Sequence, residues 1–540
     1  MVNPDKSVVF LRVFKKTLSP LLIAFFLAGC SENQTSHLAN AANSAVTPVG
    51  QSAQGASGAP VFDLHLRTDI AERTDSLSES PPIEAETFTE SDRLLVRAQR
   101  PTFGDLDAMQ KRRYIRVLVA FGRTNFFFDK GTPRGFEYDL LMEYEKKLNA
   151  GAKSPEDKTK LFFIPVPFDE LLSRLNKGEG DIAAAGLTVT PQRLQAVSFT
   201  NPYISNVREV VVTNAASAPM TSLKDLAGKS VLVRKGSSYV DHLQALSQQL
   251  IAQGYPAIQI DEADARLSTE DILEMVDSGA VPVTVADEHL ATMWSAILSE
   301  LRIESELSVH SGGKIAWATR SNSPKLINSL NAFIKENRKG SLIGNILFSR
   351  YYKNNRWITN PLSAQDRERL SKMRQLFETY GAQYGINWLE LVAQGYQESG
   401  LDQSKRSSAG AIGVMQLLQS TASDRSVGID DIHDLENNIH AGAKYMAHLL
   451  SRYLTDPEMD RAVKMDFAWA SYNAGPNRIR RLRAVARERQ LDPDRWFANV
   501  EVIAAEKIGR ETVDYVRNIN KYVIAYKLFF NAQQRAANGN

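Results

Sequence analysis

The sequence predicts a multidomain fold in which an α/β domain is followed by a mainly α domain. Between residues 114 and 352, short strands rich in Val, Ile and Leu alternate with helical patterns. Such alternation is typical of α/β architecture with mainly parallel sheets. Towards the C-terminus, apolar residues recur at helical spacing instead, most clearly over residues 386–398. The chain has 540 residues, enough for two or more domains of about 100–200 residues each.

Residues 1–29 are predicted to be a secretory signal peptide. Basic residues precede an apolar stretch at 18–27, which ends in Leu-Ala-Gly-Cys at 27–30 and so resembles a lipobox. This stretch is too short for a membrane-spanning helix, which needs about twenty residues. Cys30 is the sole cysteine, and we expect it to be acylated as the first residue of a lipoprotein. Ser31, next to the acylated cysteine, favours sorting of the lipoprotein to the periplasmic face of the outer membrane. The alternative is a signal peptide that is cleaved off and a mature protein that attaches to the membrane peripherally.

Residues 30–105 are predicted to form a flexible tether. Ser, Ala, Gly, Gln, Thr and Pro dominate this segment, which cannot bury enough apolar surface to offset the entropy of ordering. The α/β domain is expected over residues 106–355 and the helical domain over residues 356–540. Within the α/β domain, we expect strands at 115–120, 161–166 and 231–233 and helices at 137–148 and 168–178.

Three motifs in the helical domain indicate a glycan-cleaving site with one carboxylate. Glu-Ser-Gly at 398–400 ends a half-buried helix, where partial desolvation suits Glu398 to proton donation and Ser399 is expected to hydrogen-bond it. Gly-Val-Met-Gln-Leu at 413–417 offers close backbone approach and an amide for sugar hydroxyls. Ser-Tyr-Asn-Ala-Gly at 471–475 adds an aromatic ring and a second amide. The predicted substrate-binding residues are Ser399, Met415, Gln416, Tyr472 and Asn473.

Each of these residues also has a purely structural interpretation. Tyr472 and Tyr515 stand at helical positions where core aromatics are common. Met415 is of a type that fills gaps in cores, and Gln416 could cap a turn. The ordered combination around Glu398 favours the functional interpretation.

At these motifs the chain resembles the soluble lytic transglycosylase family, which is related to goose-type lysozyme. The resemblance covers about residues 373–530 and includes the segments 438–439, 442–445 and 511–516. It departs at Ser471, where the family usually has Ala. The resemblance implies a lysozyme-like fold, and it alone adds Glu511 and Tyr515 to the substrate-binding residues.

The resemblance implies non-hydrolytic cleavage of the bond between N-acetylmuramic acid and N-acetylglucosamine in peptidoglycan, without a cofactor. Glu398 would protonate the glycosidic oxygen and then deprotonate the muramyl C6 hydroxyl, which closes a 1,6-anhydro ring. Glycosidases usually need two carboxylates, whereas here the substrate supplies the nucleophile. The three motifs hold no second acidic residue, although a distant one could fold nearby. Muramidase-type hydrolysis therefore stays an alternative, as does a wall-tethered amino-acid- or peptide-binding protein without catalysis.

The α/β domain resembles the periplasmic amino-acid-binding proteins that feed ABC transporters. The resemblance lies in residues 135–140, 180–188, 199–203 and 223–228 and in Arg193. It implies two lobes that close on a ligand about a two-stranded hinge. An Arg that binds a carboxylate and an Asp that binds an ammonium would together recognise a zwitterion; the alternative is a degenerate domain. The predicted ligand-binding residues are Gly186, Thr188, Arg193 and Asp287.

Signal, tether, binding domain and catalytic domain occur together in membrane-bound lytic transglycosylases, which the whole chain resembles. The expected partners are peptidoglycan strands, an amino acid or a peptide derived from muropeptides, and a membrane reached through the N-terminal lipid. The formal net charge of +2 gives no indication of nucleic-acid binding. The eight His residues lack His-Glu-x-x-His spacing, and there is no cysteine cluster, so no metal site is predicted. The Arg-rich segment 478–483 is interpreted as a solvated helix face, with contact to anionic lipid or wall polymer as the alternative.

Overall fold

The computed structural model describes residues 100–129, 132–352, 362–509 and 511–537. The predicted signal peptide, Cys30 and nearly all of the predicted tether lie outside the described residues. The expected order of an α/β domain followed by a helical domain is confirmed. In the described part of the chain, no helix combines the length and the apolar character needed to cross a membrane.

The α/β domain is built from short elements that alternate along the chain. Its strands are β1 (Tyr114–Val119), β2 (Phe127–Asp129), β3 (Thr132–Arg134), β4 (Lys160–Pro165), β5 (Ile182–Ala183), β6 (Ser198–Phe199), β7 (Ile204–Asn214), β8 (Ser230–Val233), β9 (Gln259–Glu262), β10 (Val283–Asp287), β11 (Leu301–Ile315) and β12 (Ala318–Thr319). Its helices are α1 (Leu106–Arg112), α2 (Phe136–Leu148), α3 (Leu171–Asn176), α4 (Pro191–Leu194), α5 (Ser238–Ala252), α6 (Thr269–Asp277), α7 (Glu288–Ser295), α8 (Pro324–Asn337) and α9 (Leu342–Tyr352).

Two sheets define two lobes, as expected. The first has the order β4-β1-β5-β12-β6 and the second the order β10-β7-β11. The long strands β7 and β11 pair antiparallel from Ile204 opposite Ile315 to Asn214 opposite Leu301. Because β6 and β12 belong to the first sheet and lie next to these strands in the chain, β7 and β11 are the two connections between the lobes.

The expectation of mainly parallel sheets is wrong for the described strands. Three strand pairs are parallel and five are antiparallel. The chain enters the second lobe along β7 and leaves it along β11, which makes the hinge antiparallel. Strand β12 then returns to the first sheet against β5. The helix expected at 168–178 is interrupted by a 3₁₀ turn at Phe168–Glu170, which follows Pro167 and precedes α3.

The C-terminal domain is helical throughout its named elements. These are α10 (Ala364–Tyr384), α11 (Trp388–Ser399), α12 (Gln419–Ala422), α13 (Leu435–Tyr453), α14 (Arg461–Ala474), α15 (Pro476–Glu488), a π-helical turn (Trp496–Val500), α16 (Glu501–Lys507) and α17 (Glu511–Ala537). Asn387 caps the start of α11 by accepting a hydrogen bond from the Leu389 N–H. Gly400 ends α11 in the left-handed region, at φ 68°. Fully buried Leu391, Val392 and Ala393 anchor α11 in the core, so its last turn is held in place.

Helix α17 connects the two domains, because it packs on α11 and α14 and also on α6 of the binding domain. The Lys521 ammonium lies 3.2 Å from the Asp271 carboxylate. The Arg517 guanidinium lies 3.8 Å from the centre of the Phe121 ring. Two further hydrogen bonds join the domains, from Arg266 to the Asn520 side chain at 2.6 Å and from Arg367 to the Ser278 carbonyl at 2.8 Å.

Candidate active site and ligand cleft

Glu398 lies in the last turn of α11 with 7% of its surface exposed. The Tyr515 hydroxyl donates a hydrogen bond of 2.6 Å to Glu398 Oε1. Tyr515 stands in the first turns of α17 and is itself buried. Packing of α17 against α11 therefore fixes the direction of the Glu398 carboxyl group.

Ser399 contacts the backbone rather than the Glu398 carboxylate. Its hydroxyl lies 2.9 Å from the Val414 carbonyl and accepts a 3.0 Å hydrogen bond from the Asp402 N–H. The expected bond from Ser399 to Glu398 is wrong, because the hydroxyl joins the end of α11 to the loop that carries Gln416. Tyr515 provides the donor instead. Whether Ser399 also contacts substrate stays a prediction.

The loop at 412–417 is held against α13 by Asn438. Its buried side chain accepts from the Met415 N–H at 2.8 Å and donates to the Ile412 carbonyl at 2.9 Å. Gly413 has a φ of 76°, and a Cβ atom there would lie 2.7 Å from the Asn438 side chain. This close approach requires glycine and gives a structural reason for the motif at 438–439.

Met415 and Gln416 both stabilise this loop. The Met415 side chain is fully buried, and a Cβ atom at Gly442 of α13 would lie 2.6 Å from Met415 Cγ. Gln416 has a φ of 46°, and its amide nitrogen donates to the Gly413 carbonyl at 2.9 Å. Contact of either residue with substrate stays a prediction, and the buried Met415 side chain is the weaker candidate of the two.

The third motif meets the other two around the loop. The Tyr472 hydroxyl donates to the Met415 carbonyl at 2.8 Å, and the Tyr472 ring packs on Tyr445 with the ring centres 5.2 Å apart. Asn473 accepts a 2.7 Å hydrogen bond from the Thr512 hydroxyl of α17. Glu511, the first residue of α17, is exposed. The structure thus places all three motifs and the start of α17 next to Glu398.

Two neighbours of this site were absent from the predicted residues. Lys405 donates from its ammonium to the Glu398 carbonyl at 3.1 Å. Tyr445 packs against Tyr472. Tyr445 belongs to the motif at 442–445, so the sequence held a signal for it. Lys405 stands between motifs and gave no signal.

The four predicted ligand-binding residues line one cavity between the lobes. Arg193 donates to the Thr188 carbonyl at 2.7 Å and to the Gly236 carbonyl of the second lobe at 2.9 Å. The Gly186 N–H donates to the buried Glu137 carboxylate at 2.7 Å. The cavity is small in this structure, at about 40 Å³.

Asp287 is the least satisfied charged group of this cavity. It is 8% exposed, and its Oδ1 is buried without a hydrogen-bond partner among the described residues. Burial raises the pKa of this carboxyl to about 8, and the neighbouring charge of Glu209 acts in the same direction. A buried acceptor without a partner is costly, so the site favours a ligand that donates to it.

Arg234 and Glu270 also line the cavity, and sequence reasoning missed both. The Arg234 guanidinium lies 4.0 Å from the centre of the Phe168 ring, across the cleft, and its buried Nε has no hydrogen-bond partner among the described residues. Glu270 is 3% exposed at the start of α6. Neither residue belongs to a recognisable motif. They reach the cavity through the closure of the two lobes, which local sequence does not encode.

Two family profiles match the chain and divide it as the structure does. Bacterial extracellular solute-binding proteins, family 3, match residues 117–352. The Transglycosylase SLT domain matches residues 375–494. The first match covers the two-lobed domain, and the second begins in α10 and contains Glu398 and the motifs at 413–417 and 471–475.

Whole-length relatives share both domains. The membrane-bound lytic murein transglycosylase F of Pseudomonas syringae pv. syringae is 30% identical over 445 residues, which span 78% of this chain and 84% of the relative. The protein of the same name from Pseudomonas fluorescens is 28% identical, over 77% of this chain and 85% of the relative. A solved ancestral arginine-binding protein bound to arginine is 24% identical, with a TM-score of 0.37, over 44% of this chain and 98% of that protein. Two family profiles match the two domains, and a relative with 30% identity aligns with 78% of this chain. The chain therefore belongs to the membrane-bound lytic murein transglycosylase F family.

Proposed function

We propose that this protein is a peptidoglycan lytic transglycosylase whose acid and base is Glu398. The observation that carries the proposal is the Glu398 carboxyl group, nearly buried at the end of α11 and hydrogen-bonded by the Tyr515 hydroxyl. Around it lie the motifs of the matched transglycosylase domain. One carboxyl group that first gives and then takes a proton suits a reaction in which the substrate supplies the nucleophile.

In the proposed reaction Glu398 first gives its proton to the glycosidic oxygen between N-acetylmuramic acid and N-acetylglucosamine. The C1–O bond breaks, and positive charge develops on the muramyl ring. The Glu398 carboxylate then takes the proton of the muramyl C6 hydroxyl as its oxygen bonds to C1, which closes the 1,6-anhydro ring. The enzyme ends with Glu398 protonated again, so no water and no second carboxylate are consumed. Proton transfer of this kind contributes about 10²–10⁴-fold.

The remaining rate enhancement is assigned to groups that hold the sugar. Tyr515 orients the carboxyl group through its 2.6 Å hydrogen bond. Tyr472 and Asn473 present an aromatic ring and an amide from the end of α14. Oriented dipoles of this kind stabilise developing charge because they need no rearrangement during the reaction.

Product chemistry tests this proposal. Purified protein is incubated with peptidoglycan sacculi, and soluble fragments and new reducing ends are both measured. We expect fragments to be released without a matching gain in reducing ends, because the muramyl C1 is locked in the anhydro ring. A gain of one reducing end for each cut would identify a muramidase-type hydrolase instead, and wall binding without release would identify a binding protein.

We further propose that the cleft senses a zwitterionic ligand, such as an amino acid or a short peptide released from the wall. Arg193 would bind the carboxylate, Asp287 the ammonium, and Thr188 and Gly186 would lie beside them. The buried Asp287 Oδ1 without a hydrogen-bond partner among the described residues supports this. Calorimetry with amino acids and wall peptides tests the proposal, and binding should be lost in Arg193→Ala. If no zwitterion binds wild-type protein, the domain is a scaffold.

The domain contacts suggest how such a ligand would affect cleavage. Thr269 and Glu270 line the cavity at the start of α6, and the next residue, Asp271, contacts Lys521 of α17. Helix α17 carries Tyr515, which bonds Glu398. Closure of the lobes would therefore shift α17 and, with it, the Tyr515 hydroxyl that orients the Glu398 carboxyl group. The effect is limited to the ligand's difference in affinity between open and closed lobes, typically about 5–150-fold.

The relatives are named membrane-bound, and we propose that this chain is held at the periplasmic face of the outer membrane by acylated Cys30. The tether of residues 30–105 would give the two domains reach into the wall. Cys30→Ser should move the protein from the membrane fraction to the soluble periplasm and abolish incorporation of labelled fatty acid. Wild-type protein that incorporates no label would exclude the lipid anchor.

A further inference from the structure

A broad depression of about 570 Å³ lies on the helical domain, between the end of α10, the middle of α13 and the start of α14. We call it the basic depression. It is lined by three cationic side chains and no acidic one, together with ring and hydroxyl groups. The lining residues used below are Lys444, Arg461, Lys464, His448, Ser426 and Ser451.

The positive charge of the basic depression is poorly balanced. Lys444 and Lys464 are half-buried, and neither ammonium group has a hydrogen-bond or ion-pair partner among the described residues. Arg461 donates to the Gly385 carbonyl at 3.3 Å, and its guanidinium lies 3.8 Å from the Glu390 carboxylate. Glu390 therefore pairs with Arg461, and Asp424 accepts a hydrogen bond from the Ser426 hydroxyl at the edge. The Lys444 and Lys464 ammonium groups still lack a paired carboxylate among the described residues, so an anion placed beside them is stabilised.

Helix α14 adds to this positive potential. It begins at Arg461, and its first turn contains no acidic residue. The Asp460 side chain at its N-cap makes no capping hydrogen bond. The N-terminus of a helix carries partial positive charge and favours anions, not cations. Arg461 and Lys464 therefore add positive charge at a helix end that is already partly positive, and the Asp460 carboxylate offsets part of it.

The basic depression continues from the candidate active site. The His448 ring in its wall lies 6.5 Å from the Tyr445 ring, which lies 5.2 Å from the Tyr472 ring, centre to centre. Lys464 and Tyr472 share α14 and stand about 12 Å apart along it, at 1.5 Å per residue. A peptide attached to a glycan at Tyr472 spans this distance with about four extended residues, at about 3.3–3.6 Å per residue.

We propose that the basic depression binds the free carboxylates of a peptidoglycan stem peptide attached to the strand that Glu398 cleaves. This rests on the proposed function, because peptidoglycan is the substrate assigned there. Stem peptides branch from the muramic acid residues and carry free carboxylates. Lys444 and Lys464 pair with those carboxylates. The Ser426 and Ser451 hydroxyls at the edges already donate to Asp424 and to the His448 carbonyl, so the two lysines provide the recognition. The proximity of Tyr472 favours the substrate's own anion over a lipid or a free polymer.

The test compares two forms of one substrate. Glycan strands with intact stems are set against the same strands after conversion of the stem carboxylates to amides. For the double variant Lys444→Gln/Lys464→Gln we expect KM on intact strands to rise about three- to thirtyfold, from two partly exposed ion pairs, with kcat little changed. On amidated strands the variant and wild type should have equal KM. Added salt should raise the wild-type KM for intact strands and not for amidated ones.

A matched control removes the same charge elsewhere. Arg481→Gln/Arg487→Gln deletes two exposed cations from α15, and we expect its KM to equal that of wild type on both substrates. Equal KM for the lysine variant and wild type on intact strands overturns the proposal, and so does an equal rise on amidated strands. Binding of both strands to the Glu398→Gln protein gives the same contrast without turnover. Failure of wild type to form anhydro products would refute the proposed function. The difference in binding between intact and amidated strands would still show whether the basic depression binds stem carboxylates.

Discussion

The motif side chains around Glu398 and two charged residues of the ligand cleft differ in how far the protein satisfies them with hydrogen bonds. Around Glu398 the motif side chains are hydrogen-bonded within the protein: Tyr515 to Glu398 and Tyr472 to the Met415 carbonyl. In the cleft, Asp287 and Arg234 each keep a buried polar atom without a hydrogen-bond partner among the described residues. Both regions are well packed, so the difference lies in polar satisfaction.

This difference indicates how each region responds to its ligand. A site whose groups are already bonded is preorganised, so substrate binding requires little rearrangement and the groups can act on the transition state. A cleft that holds unsatisfied polar groups gains free energy when a complementary ligand arrives. The first arrangement suits catalysis, and the second suits a conformational response to occupancy.

The largest expected effect is the loss of the acid/base. Glu398→Gln keeps the shape and a hydrogen-bond acceptor for Tyr515 but cannot exchange a proton, so we expect cleavage to fall at least about 100-fold. Wall binding and the unfolding temperature should stay at the wild-type values. Release of anhydromuropeptides at a near wild-type rate would remove Glu398 from its assigned role.

The unsatisfied cleft can be examined through the proton on Asp287. Its pKa of about 8 in the empty cleft means that the carboxyl is mostly protonated at pH 7. An ammonium ligand stabilises the ionised form, so binding should release close to one proton. Calorimetry in buffers of different ionisation enthalpy measures this release. Asp287→Asn should abolish it and weaken binding about 30-fold or more, whereas binding without proton release would contradict the assigned pairing.

The same pKa predicts a pH dependence of stability without ligand. Between the ordinary value of 3.8 and about 8, the unfolded chain gives up the Asp287 proton and the folded chain keeps it. The folded state therefore binds more protons, and its stability from this group falls as pH rises through that window. Asp287→Asn should flatten this part of the profile and raise the unfolding temperature at pH 8. A profile identical to that of wild type would show that Asp287 is ionised in the empty cleft.

A smaller effect is expected at the hydrogen bond that orients the acid. Tyr515→Phe removes the 2.6 Å contact, and we expect kcat to fall up to about tenfold with KM nearly constant, since one hydrogen bond to a neutral carboxyl group is worth about 0.5–1.5 kcal/mol. Tyr522→Phe, on the same helix and equally buried, is the matched control and should retain full activity. Equal activity of both variants would contradict an orienting role for Tyr515.

The smallest effect is expected at the contact between the two regions. Lys521→Met breaks the 3.2 Å pair with Asp271, and basal cleavage should change by no more than about twofold, because Arg123 still pairs with Asp271 at 3.5 Å and the buried carboxylate is not left uncompensated. The change in cleavage rate that a cleft ligand causes in wild type should be smaller in Lys521→Met. Lys527→Met, an exposed lysine on the same helix, is the control. A full ligand response in Lys521→Met would place the coupling elsewhere.

The same difference explains what the sequence could predict. The active-site motifs are short and local, so helix spacing and Gly400 sufficed to place Glu398 at a helix end. The partner of its carboxylate was predicted wrongly as Ser399, because α17 brings Tyr515 from 117 positions away. In the cleft, Arg193 and Asp287 were predicted by resemblance, while Arg234 and Glu270 depend on lobe closure and carry no local signal. The antiparallel hinge was missed because alternating elements do not reveal how a chain returns between lobes.

The central claim is that Glu398 cleaves peptidoglycan without adding water. Digestion in water enriched in ¹⁸O, followed by mass spectrometry of the released disaccharide peptides, tests it directly. We expect products lighter than hydrolytic ones by one water, with no ¹⁸O incorporated, and no products from Glu398→Gln. Products that carry the heavy isotope at the muramyl C1 would show that Glu398 adds water and is a hydrolase instead.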